Sequence, residues 1–476
     1  MNLPQAPELM RPRFTPPLDD DFRPAAVATR AFREAVGTNG ARLVIGLERG
    51  AEEFSRFETQ VFPDGHARAA ENLRHVERLV KFLLWQRGGY RVYVGGPRHI
   101  GEYVRAVYAP SGERHFDQAF MGDQVYQKPF EIVPCKAEEV PARRESARPL
   151  GRNLDGCRIG FDLGASDRKV SAVVDGKAIY SEEVIWEPRN QADPDYHYQE
   201  IITALKTAAA KMPRLDAIGG SSAGIYIDNR PMVASLFRSV PAERYEEVRN
   251  LFLRIRAEMG VPLEVINDGN VTALAGSMSL EENSILGIAL GSSEATGYVD
   301  ANGHITGWLN ELSFAPIDYS PSAPVYEWSG DRGCGASYLS QQGVFRLAPK
   351  AGIEIPEGQP DADRLKYVQE KLEAGHEGAC KIWQSMGIYL GYALAHYTDF
   401  YEVKHILILG RCTSGIGGEL LLNGARTVLE GEFPELAARL QIHLPDEKIR
   451  RIGQSVAAAS LPLIRPQINK QDTETR

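Results

Sequence analysis

The stretch CRIGFDLGASDRKVSAVVDG, residues 157–176, decides how this chain is expected to fold. Its first half, CRIGFDL, is an apolar run that predicts a buried strand, and VSAVV (170–174) predicts a second strand. Between the two, the first strand ends at Asp162 and enters a turn of small residues. Small residues let backbone N–H groups approach an anion, and an aspartate at a strand end can hold Mg²⁺ through water. The first candidate site residues are therefore Asp162, Gly164 and Ser166.

Three later segments repeat this passage from a strand into a loop of glycine and serine. They are LDAIGGSSAG (215–224), ALGSSEATG (289–297) and LILGRCTSGIGG (407–418). Taken singly, each loop is also explained as a tight turn between a strand and a helix, so the order of the loops carries more information than any one of them. The candidate anion-binding residues in the last two loops are Gly291, Ser292, Ser293, Gly410, Ser414 and Gly417.

A further carboxylate follows a predicted strand in VINDGN, residues 265–270. At that place Asp268 can accept a proton from a substrate hydroxyl, which makes it the candidate general base. The alternative is that Asp268 is the N-cap of the helix that follows, because aspartate is a preferred N-cap residue. The sequence leaves both interpretations open.

The remaining pattern alternates strands with helices, which predicts an α/β fold. Residues 1–150 stand apart, because the charged segment 136–153 is nearly free of large apolar residues and is typical of a linker. The first 20 residues are rich in proline and aspartate and are expected to be loose. Strands are predicted at 43–48, 90–96, 130–134, 261–268 and 405–410, a hairpin at 284–308, and helices over 73–84, 198–212, 248–259 and roughly 377–400.

Composition limits the classes of protein to which the chain can belong. The chain has 476 residues, with 54 Lys+Arg and 63 Asp+Glu, and its net charge of -9 argues against a nucleic-acid partner. Its 5 cysteines are far apart and fit a reducing compartment. No apolar run reaches the roughly 18 residues that cross a bilayer, and the N-terminus lacks the apolar core of a secretion signal. The sequence therefore predicts a cytoplasmic protein without a membrane partner.

The ordered motifs resemble those of the ROK family of sugar kinases and regulators over about 155–465. The resemblance implies a two-lobed actin/hexokinase-like (ribonuclease H-like) α/β fold with a ligand cleft between the lobes. The implied domains are an N-terminal α/β extension of unknown role (1–150), an N-terminal lobe (155–270) and a C-terminal lobe (271–476). Family members are commonly dimers, so a homodimer is the implied assembly, although the sequence does not fix the oligomeric state.

The same resemblance implies a role for each motif. Asp162 would lie near Mg²⁺, the loops at 162–166 and 291–296 would contact the phosphates of ATP, and the loop at 410–418 would contact its adenosine. The loop at 221–224 would line the sugar pocket. Asp268 would be the base that takes the proton of the attacking hydroxyl. The implied sugar-binding residues are Asn267, Glu311, Ser222 and Gly224.

Several positions depart from the family pattern. Glu294 replaces a glycine of the second phosphate loop and would place a negative charge near ATP. Phe314 replaces a histidine that binds both sugar and zinc, and Ala336 replaces a sugar-binding glutamate. Because Cys334 alone remains of three zinc-binding cysteines, we expect no zinc site. We expect Phe314 and Trp328 to replace the metal by apolar packing.

These observations favour an ATP- and Mg²⁺-dependent kinase that phosphorylates a hydroxyl of a hexose or related sugar. The altered second loop and the lost histidine support the alternative, a non-catalytic sensor or regulator that binds a sugar or a nucleotide on the same fold. A third interpretation is a different phosphotransferase on this fold, such as an acetate or polyol kinase. The sequence does not identify the sugar.

Overall fold

The computed structural model describes residues 11–145, 150–444 and 453–464. Its strands are β1 Ala41–Gly50, β2 Glu53–Val61, β3 Arg91–Gly95, β4 Glu131–Cys135, β5 Arg144–Glu145, β6 Cys157–Leu163, β7 Asp167–Val174, β8 Lys177–Ile185, β9 Ala217–Ser222, β10 Ile225–Ile227, β11 Arg230–Val233, β12 Leu263–Asn267, β13 Ile285–Leu290, β14 Glu294–Val299, β15 His405–Leu409 and β16 Gln441–His443. Its α-helices are α1 Ala25–Val36, α2 Glu71–Arg87, α3 Arg98–Val107, α4 His115–Ala119, α5 Pro194–Ala209, α6 Tyr245–Arg249, α7 Leu251–Met259, α8 Asp268–Leu280, α9 Gln341–Leu347, α10 Asp361–Glu373, α11 Glu377–Tyr397, α12 Ile416–Glu432, α13 Pro434–Ala437 and α14 Gln454–Ala459. None of the helices within these ranges is long and apolar enough to span a bilayer.

The chain divides into two compact units, and each unit combines segments that are distant in sequence. Unit 1 contains Met1–Arg148 together with Glu282–Pro445, and unit 2 contains Pro149–Glu281 together with Asp446–Arg476. The N-terminal region therefore shares a unit with the C-terminal half of the chain.

Unit 2 is built on a five-stranded sheet with the strand order β12-β9-β6-β7-β8, and β10 and β11 form a separate two-stranded sheet. Strands β6, β9 and β12 are parallel to one another, whereas β7 and β8 are antiparallel to their neighbours. Apolar side chains of these strands form one core with helices α5 and α7, including Ile159, Phe161, Ile201 and Phe252. Because the three parallel strands run in one direction, their carboxyl ends meet at one edge of the sheet.

Two glycines let helix α14 approach this sheet closely. A Cβ atom on Gly160 of β6 would lie 1.9 Å from the carbonyl oxygen of Ser455, and one on Gly219 of β9 would lie 1.6 Å from that of Ala458. Any side chain at either position would displace the helix, so these strands require glycine at the points of contact.

The described residues of unit 1 form two sheets, with the orders β4-β3-β1-β2-β5 and β14-β13-β15-β16. In the second sheet β13 and β15 are parallel, and Ala289 pairs with Leu409. The loops that follow these two strands are consequently neighbours. The long helices α11 and α12 pack against each other through glycines, since a Cβ on Gly424 would lie 2.8 Å from the backbone of Gly387.

The first described residues contact α9 and α11 of unit 1. Leu18 N donates to Ser385 Oγ at 3.2 Å, and the buried carboxylate of Asp19 accepts from Tyr389 Oη at 2.6 Å and Arg346 Nη1 at 2.9 Å. The prediction that the first 20 residues are loose is therefore wrong for residues 11–20, because Leu18 and Asp19 form specific contacts with α9 and α11. Residues 1–10 lie outside the described residues.

The two aromatic residues that were expected to replace a metal by apolar packing differ in their burial. Phe314 is buried and stacks on Trp85, with ring centroids 4.0 Å apart. Trp328 is 59% exposed, so the prediction that it packs in the core is wrong. Trp328 lies in a short turn that is closed by the bridge between Val325 and Arg332, and it projects from that turn into solvent. Within the described ranges, no group of three or more His, Cys, Asp or Glu residues is arranged to hold a metal ion.

Glu294 is turned into the core of unit 1. Its side chain is 2% exposed, and Oε1 accepts a hydrogen bond from Tyr397 Oη at 2.8 Å. Its Oε2 has no hydrogen-bond partner among the described residues. Burial raises the pKa of Glu294 to about 8, with the Tyr397 hydrogen bond acting in the opposite direction. The carboxyl group is therefore mostly protonated at neutral pH, and it does not place the negative charge that the sequence suggested beside the second glycine loop.

This burial predicts an unusual dependence of stability on pH. Because the pKa is higher in the folded than in the unfolded chain, the stabilising effect of the bound proton is complete below about pH 4.5 and is lost as the pH rises through about 8. In the Glu294→Gln variant this contribution is absent. Its free energy of unfolding should therefore fall less steeply with pH than that of wild type, by up to roughly 1.4 kcal/mol per pH unit within that window. Denaturant unfolding at a series of pH values from 5 to 8 measures the effect.

The matched control is Glu354→Gln, which removes an exposed carboxyl group of the same unit. That variant should keep the slope of the wild-type protein. Equal slopes in wild type and Glu294→Gln would contradict the assignment of a buried, protonated Glu294.

Candidate functional site

The carboxyl ends of β6, β9 and β12 bring several of the predicted site residues together in unit 2. In the pairing register, Asp162 lies opposite Ser221, and Ser222 lies opposite both Leu163 and Asn267. The three strands that the sequence predicted independently therefore end side by side. Their last residues form a cluster of oxygen-bearing side chains, which we call the strand-end cluster, made of Asp162, Ser221, Ser222, Asn267 and Asp268.

Asn267 connects this cluster to two neighbouring elements. Its Oδ1 accepts from Gly269 N at 2.7 Å and so caps helix α8, while its Nδ2 donates to Gly224 O at 2.9 Å. The N-cap of α8 is thus Asn267, and Asp268 is the first helical residue. Because Asn267 is the N-cap, capping does not explain the presence of Asp268, whose Oδ1 accepts a local bond from Gly269 N at 2.9 Å.

Both carboxyl groups of the cluster have raised pKa values. Asp162 Oδ1 accepts a hydrogen bond from Ser221 Oγ at 2.7 Å. Burial, and to a lesser degree the charge of Asp268, raise the pKa of Asp162 to about 6. Burial also raises the pKa of Asp268, although the Gly269 N–H opposes that shift. A cation would stabilise the ionised form of such a pair, and carboxylate oxygens are the ligands that Mg²⁺ prefers.

A lysine that the sequence reasoning missed lies directly opposite Asp162. Lys169 of β7 pairs with Asp162 in the antiparallel register, and its Nζ lies 3.0 Å from Asp167 Oδ1. Burial alone would lower its pKa, but the hydrogen bond to Asp167 and the nearby carboxylates raise it, so the side chain stays charged. The sequence did contain a signal for Lys169. A tight turn between β6 and β7 fixes the register of the two strands, and the register determines which residue of β7 pairs with Asp162.

The first glycine loop is a tight turn held by its own hydrogen bonds. Gly164 N donates to Asp167 O at 2.9 Å, and Gly164 O accepts from Trp186 Nε1 at 2.9 Å. Ser166 is exposed, and its hydroxyl donates to Asp167 Oδ2 at 3.0 Å. The turn therefore presents a fixed backbone next to Lys169.

The two later glycine loops lie next to each other in unit 1. Gly291 N donates to Ser293 O at 3.1 Å, and Ser292 is exposed at the tip of this turn. Gly410 has a φ of +100° and packs against the backbone of Leu290, which a Cβ atom would approach to 2.5 Å. Both a positive φ and a close approach thus require glycine at position 410.

The third loop leads into helix α12. Ser414 is exposed, whereas Gly417 is buried against Trp383, and a Cβ at Gly417 would lie 2.5 Å from the indole Nε1. That indole donates to Cys412 O at 2.8 Å. Packing is thus sufficient to explain Gly417, while Ser414 is among the exposed residues of this loop that solvent or a ligand can reach.

Glu311 lies in unit 1 beside a tyrosine that the sequence reasoning missed. Tyr326 forms a hydrogen bond with the Ser293 side chain, and burial raises its pKa to about 12, with the charge of Glu311 contributing in the same direction. Tyr326 also contacts Phe314 edge-to-face, with ring centroids 5.2 Å apart. Ser293, Glu311 and Tyr326 are therefore close together within this unit, and no sequence motif marked the tyrosine.

Comparisons with known proteins show which fold this is. No protein-family model matches the sequence, and no curated protein matches it. A ROK hexokinase from Thermus thermophilus matches with a TM-score of 0.51 and 17% identity, over 64% of this chain and 97% of the hexokinase.

Two further solved structures match less well. A ROK glucokinase from Streptomyces griseus, in complex with glucose and AMPPNP, has a TM-score of 0.48 and 20% identity over 64% of this chain and 98% of its own. A ROK transcriptional regulator, a homolog of the E. coli MLC protein, has a TM-score of 0.45 and 18% identity over 64% of this chain and 78% of its own. The predicted actin/hexokinase-like α/β fold is thus confirmed, and the chain is a divergent example of the fold that ROK hexokinase has.

Proposed function

We propose that the protein is an ATP- and Mg²⁺-dependent sugar kinase that transfers the γ-phosphate to a hydroxyl of a hexose or a related sugar. One observation carries the proposal: the folded chain brings Asp162, Asp268 and Lys169 to the carboxyl edge of one sheet. Phosphoryl transfer depends mainly on positioning and charge stabilisation, which such a cluster supplies.

Asp268 is the proposed general base. Asp268 is the first residue of α8. Its carboxyl group is not needed to cap the helix, because Asn267 is the N-cap. Its raised pKa makes the ionised form a better proton acceptor for a sugar hydroxyl than an unperturbed aspartate. The substrate-binding residues proposed with it in unit 2 are Asn267, Ser222 and Gly224. Glu311, a residue of unit 1, is a further proposed sugar-binding residue.

Asp162 is the proposed residue near Mg²⁺, which it would hold through water. Its oxygens fit that task, because one accepts from Ser221 and the nearby Asp268 charge favours a bound cation. Mg²⁺ would neutralise charge on the ATP phosphates. The residues proposed to contact ATP are Gly164, Ser166, Lys169, Gly291, Ser292, Ser293, Gly410, Ser414 and Gly417.

A non-catalytic sugar- or nucleotide-binding sensor is the second candidate. The observation that favours it is the replacement of hydrogen-bonding residues by buried apolar ones, since Phe314 is 8% exposed and Ala336 is 1% exposed. Neither side chain can hydrogen-bond a sugar. A sensor would bind its ligand without releasing ADP, so one assay separates the two candidates. A cytoplasmic location and a homodimer stay predictions of the sequence.

The first test compares ADP release by wild type and Asp268→Asn over a panel of hexoses and amino sugars with Mg·ATP. Removing the base should lower kcat by about 10²- to 10⁴-fold, while the melting temperature stays close to that of wild type. Asp123→Asn, which changes an exposed aspartate of unit 1, is the matched control and should keep full activity. Full activity in Asp268→Asn would reject the base assignment, and no sugar-dependent ADP release by wild type would reject the kinase.

The second test concerns Lys169. If its ammonium group binds a phosphate of ATP, a charge-assisted hydrogen bond worth about 1.5–3 kcal/mol is lost in Lys169→Met. We expect KM for ATP to rise at least about tenfold, with KM for the sugar nearly unchanged. Lys177→Met, which changes an exposed lysine of the same sheet, is the control. Equal values of KM for ATP in the two variants would contradict the assignment.

A further inference from the structure

The loop that carries Glu311 is attached to the N-terminal region at several points. We call residues 309–334 the Glu311 loop. It follows β14, and its backbone forms isolated bridges rather than a regular sheet. The backbone N–H groups of Asn310 and Glu311 donate to Gln86 O at 2.8 Å and Trp85 O at 3.0 Å. The last carbonyl groups of a helix lack partners within the helix. The C-terminus of α2 can therefore accept the hydrogen bonds of these two N–H groups.

An aromatic stack forms the second attachment. The rings of Trp85 and Phe314 are nearly parallel, at an interplanar angle of 12° and a centroid distance of 4.0 Å. Phe116 and Phe120 of the N-terminal region extend the stack. The indole Nε1 of Trp85 donates to Asp117 Oδ1 at 2.8 Å, which fixes the orientation of the ring. The position of Phe314, three residues after Glu311, is thus determined by α2.

A buried cluster of charges forms the third attachment. Asp331 of the Glu311 loop lies 2.7 Å from Arg114 Nη1, 3.1 Å from Arg78 Nη1 and 3.6 Å from Lys81 Nζ. Three carboxylates balance these three cations, and every one of the six side chains is buried. The cluster consists of Glu77, Arg78, Lys81, Arg114, Asp117 and Asp331. Removing one member leaves an uncompensated buried charge, so the cluster strongly favours one arrangement of the loop.

We propose that helix α2 of the N-terminal region is the positioning element for the Glu311 loop, so that residues outside the kinase-like part of the chain set the affinity for the sugar. The proposal rests on the proposed function of Glu311 as a sugar-binding residue. Its positioning residues are Trp85 and Lys81 on α2, with Phe314 and Asp331 on the loop. The N-terminal region, for which the sequence suggested no role, is then part of the substrate-binding machinery.

The test compares Trp85→Leu, which removes the stack, with Trp85→Phe, which keeps an aromatic ring. Misplacing Glu311 should raise KM for the sugar at least about tenfold in Trp85→Leu and leave KM for ATP unchanged. Trp85→Phe should restore most of the sugar affinity. A purely structural role would lower the amount of active enzyme, and hence kcat, without this split between the two KM values, and that result would overturn the proposal.

Hydrogen exchange provides a readout that does not depend on activity. The amides of Asn310 and Glu311 should exchange faster in Trp85→Leu than in wild type, while amides in 263–275 of unit 2 stay unchanged. If wild type proves inactive, the kinase proposal fails and this measurement alone decides whether α2 holds the loop. Should Trp85→Leu not fold, Phe314→Leu removes the same stack from the side of the loop. Unchanged exchange at 310–311 in a folded variant would overturn the inference.

Discussion

The hydrogen bond from Ser221 Oγ to Asp162 Oδ1 joins the ends of the parallel strands β6 and β9. The proposed chemistry depends on this alignment of the strand ends. Parallel strands place their carboxyl ends at one edge, so residues that are 59 positions apart in sequence become neighbours. Asn267 adds the third strand by binding Gly224 O and capping α8. Without this alignment, each of the glycine- and aspartate-rich segments would be an ordinary turn.

The second organising feature is the shared core of unit 1. Its N-terminal region and its C-terminal half are joined by the buried charges around Asp331, by the stack of Trp85 on Phe314 and by contacts of residues 11–24 with α9 and α11. Glu294 is buried in the same unit, and its protonation removes a charge that would disfavour nucleotide. Two departures from the ROK pattern, Glu294 and Phe314, are therefore accommodated by packing inside unit 1.

Much of the fold could be predicted from the sequence, because its central strands are short apolar runs that end in small residues. This holds for β6, β9, β12 and β15, whose ends carry the candidate site. The sequence also indicated the candidate carboxylates, Asp162 and Asp268, since an aspartate after a buried strand is a recognisable pattern. The roles of individual site residues stay proposals.

Other features depend on contacts that a sequence pattern does not contain. Lys169 became a candidate only when the hairpin register placed it opposite Asp162. Tyr326 belongs to the surroundings of Glu311 through its hydrogen bond with Ser293. The attachment of Glu311 to Trp85 joins residues more than 200 positions apart, which no local periodicity can reveal. The exposed position of Trp328 likewise follows from the tertiary fold and not from its apolar side chain.

The most direct measurement is a crystal structure of the protein with a sugar that supports ADP release, Mg²⁺ and a non-hydrolysable ATP analogue. The account predicts a sugar hydroxyl at about 2.6–3.2 Å from the Asp268 carboxylate, with the hydrated metal ion beside Asp162. A sugar bound away from Asp268, or a metal ion held by other residues, would contradict it.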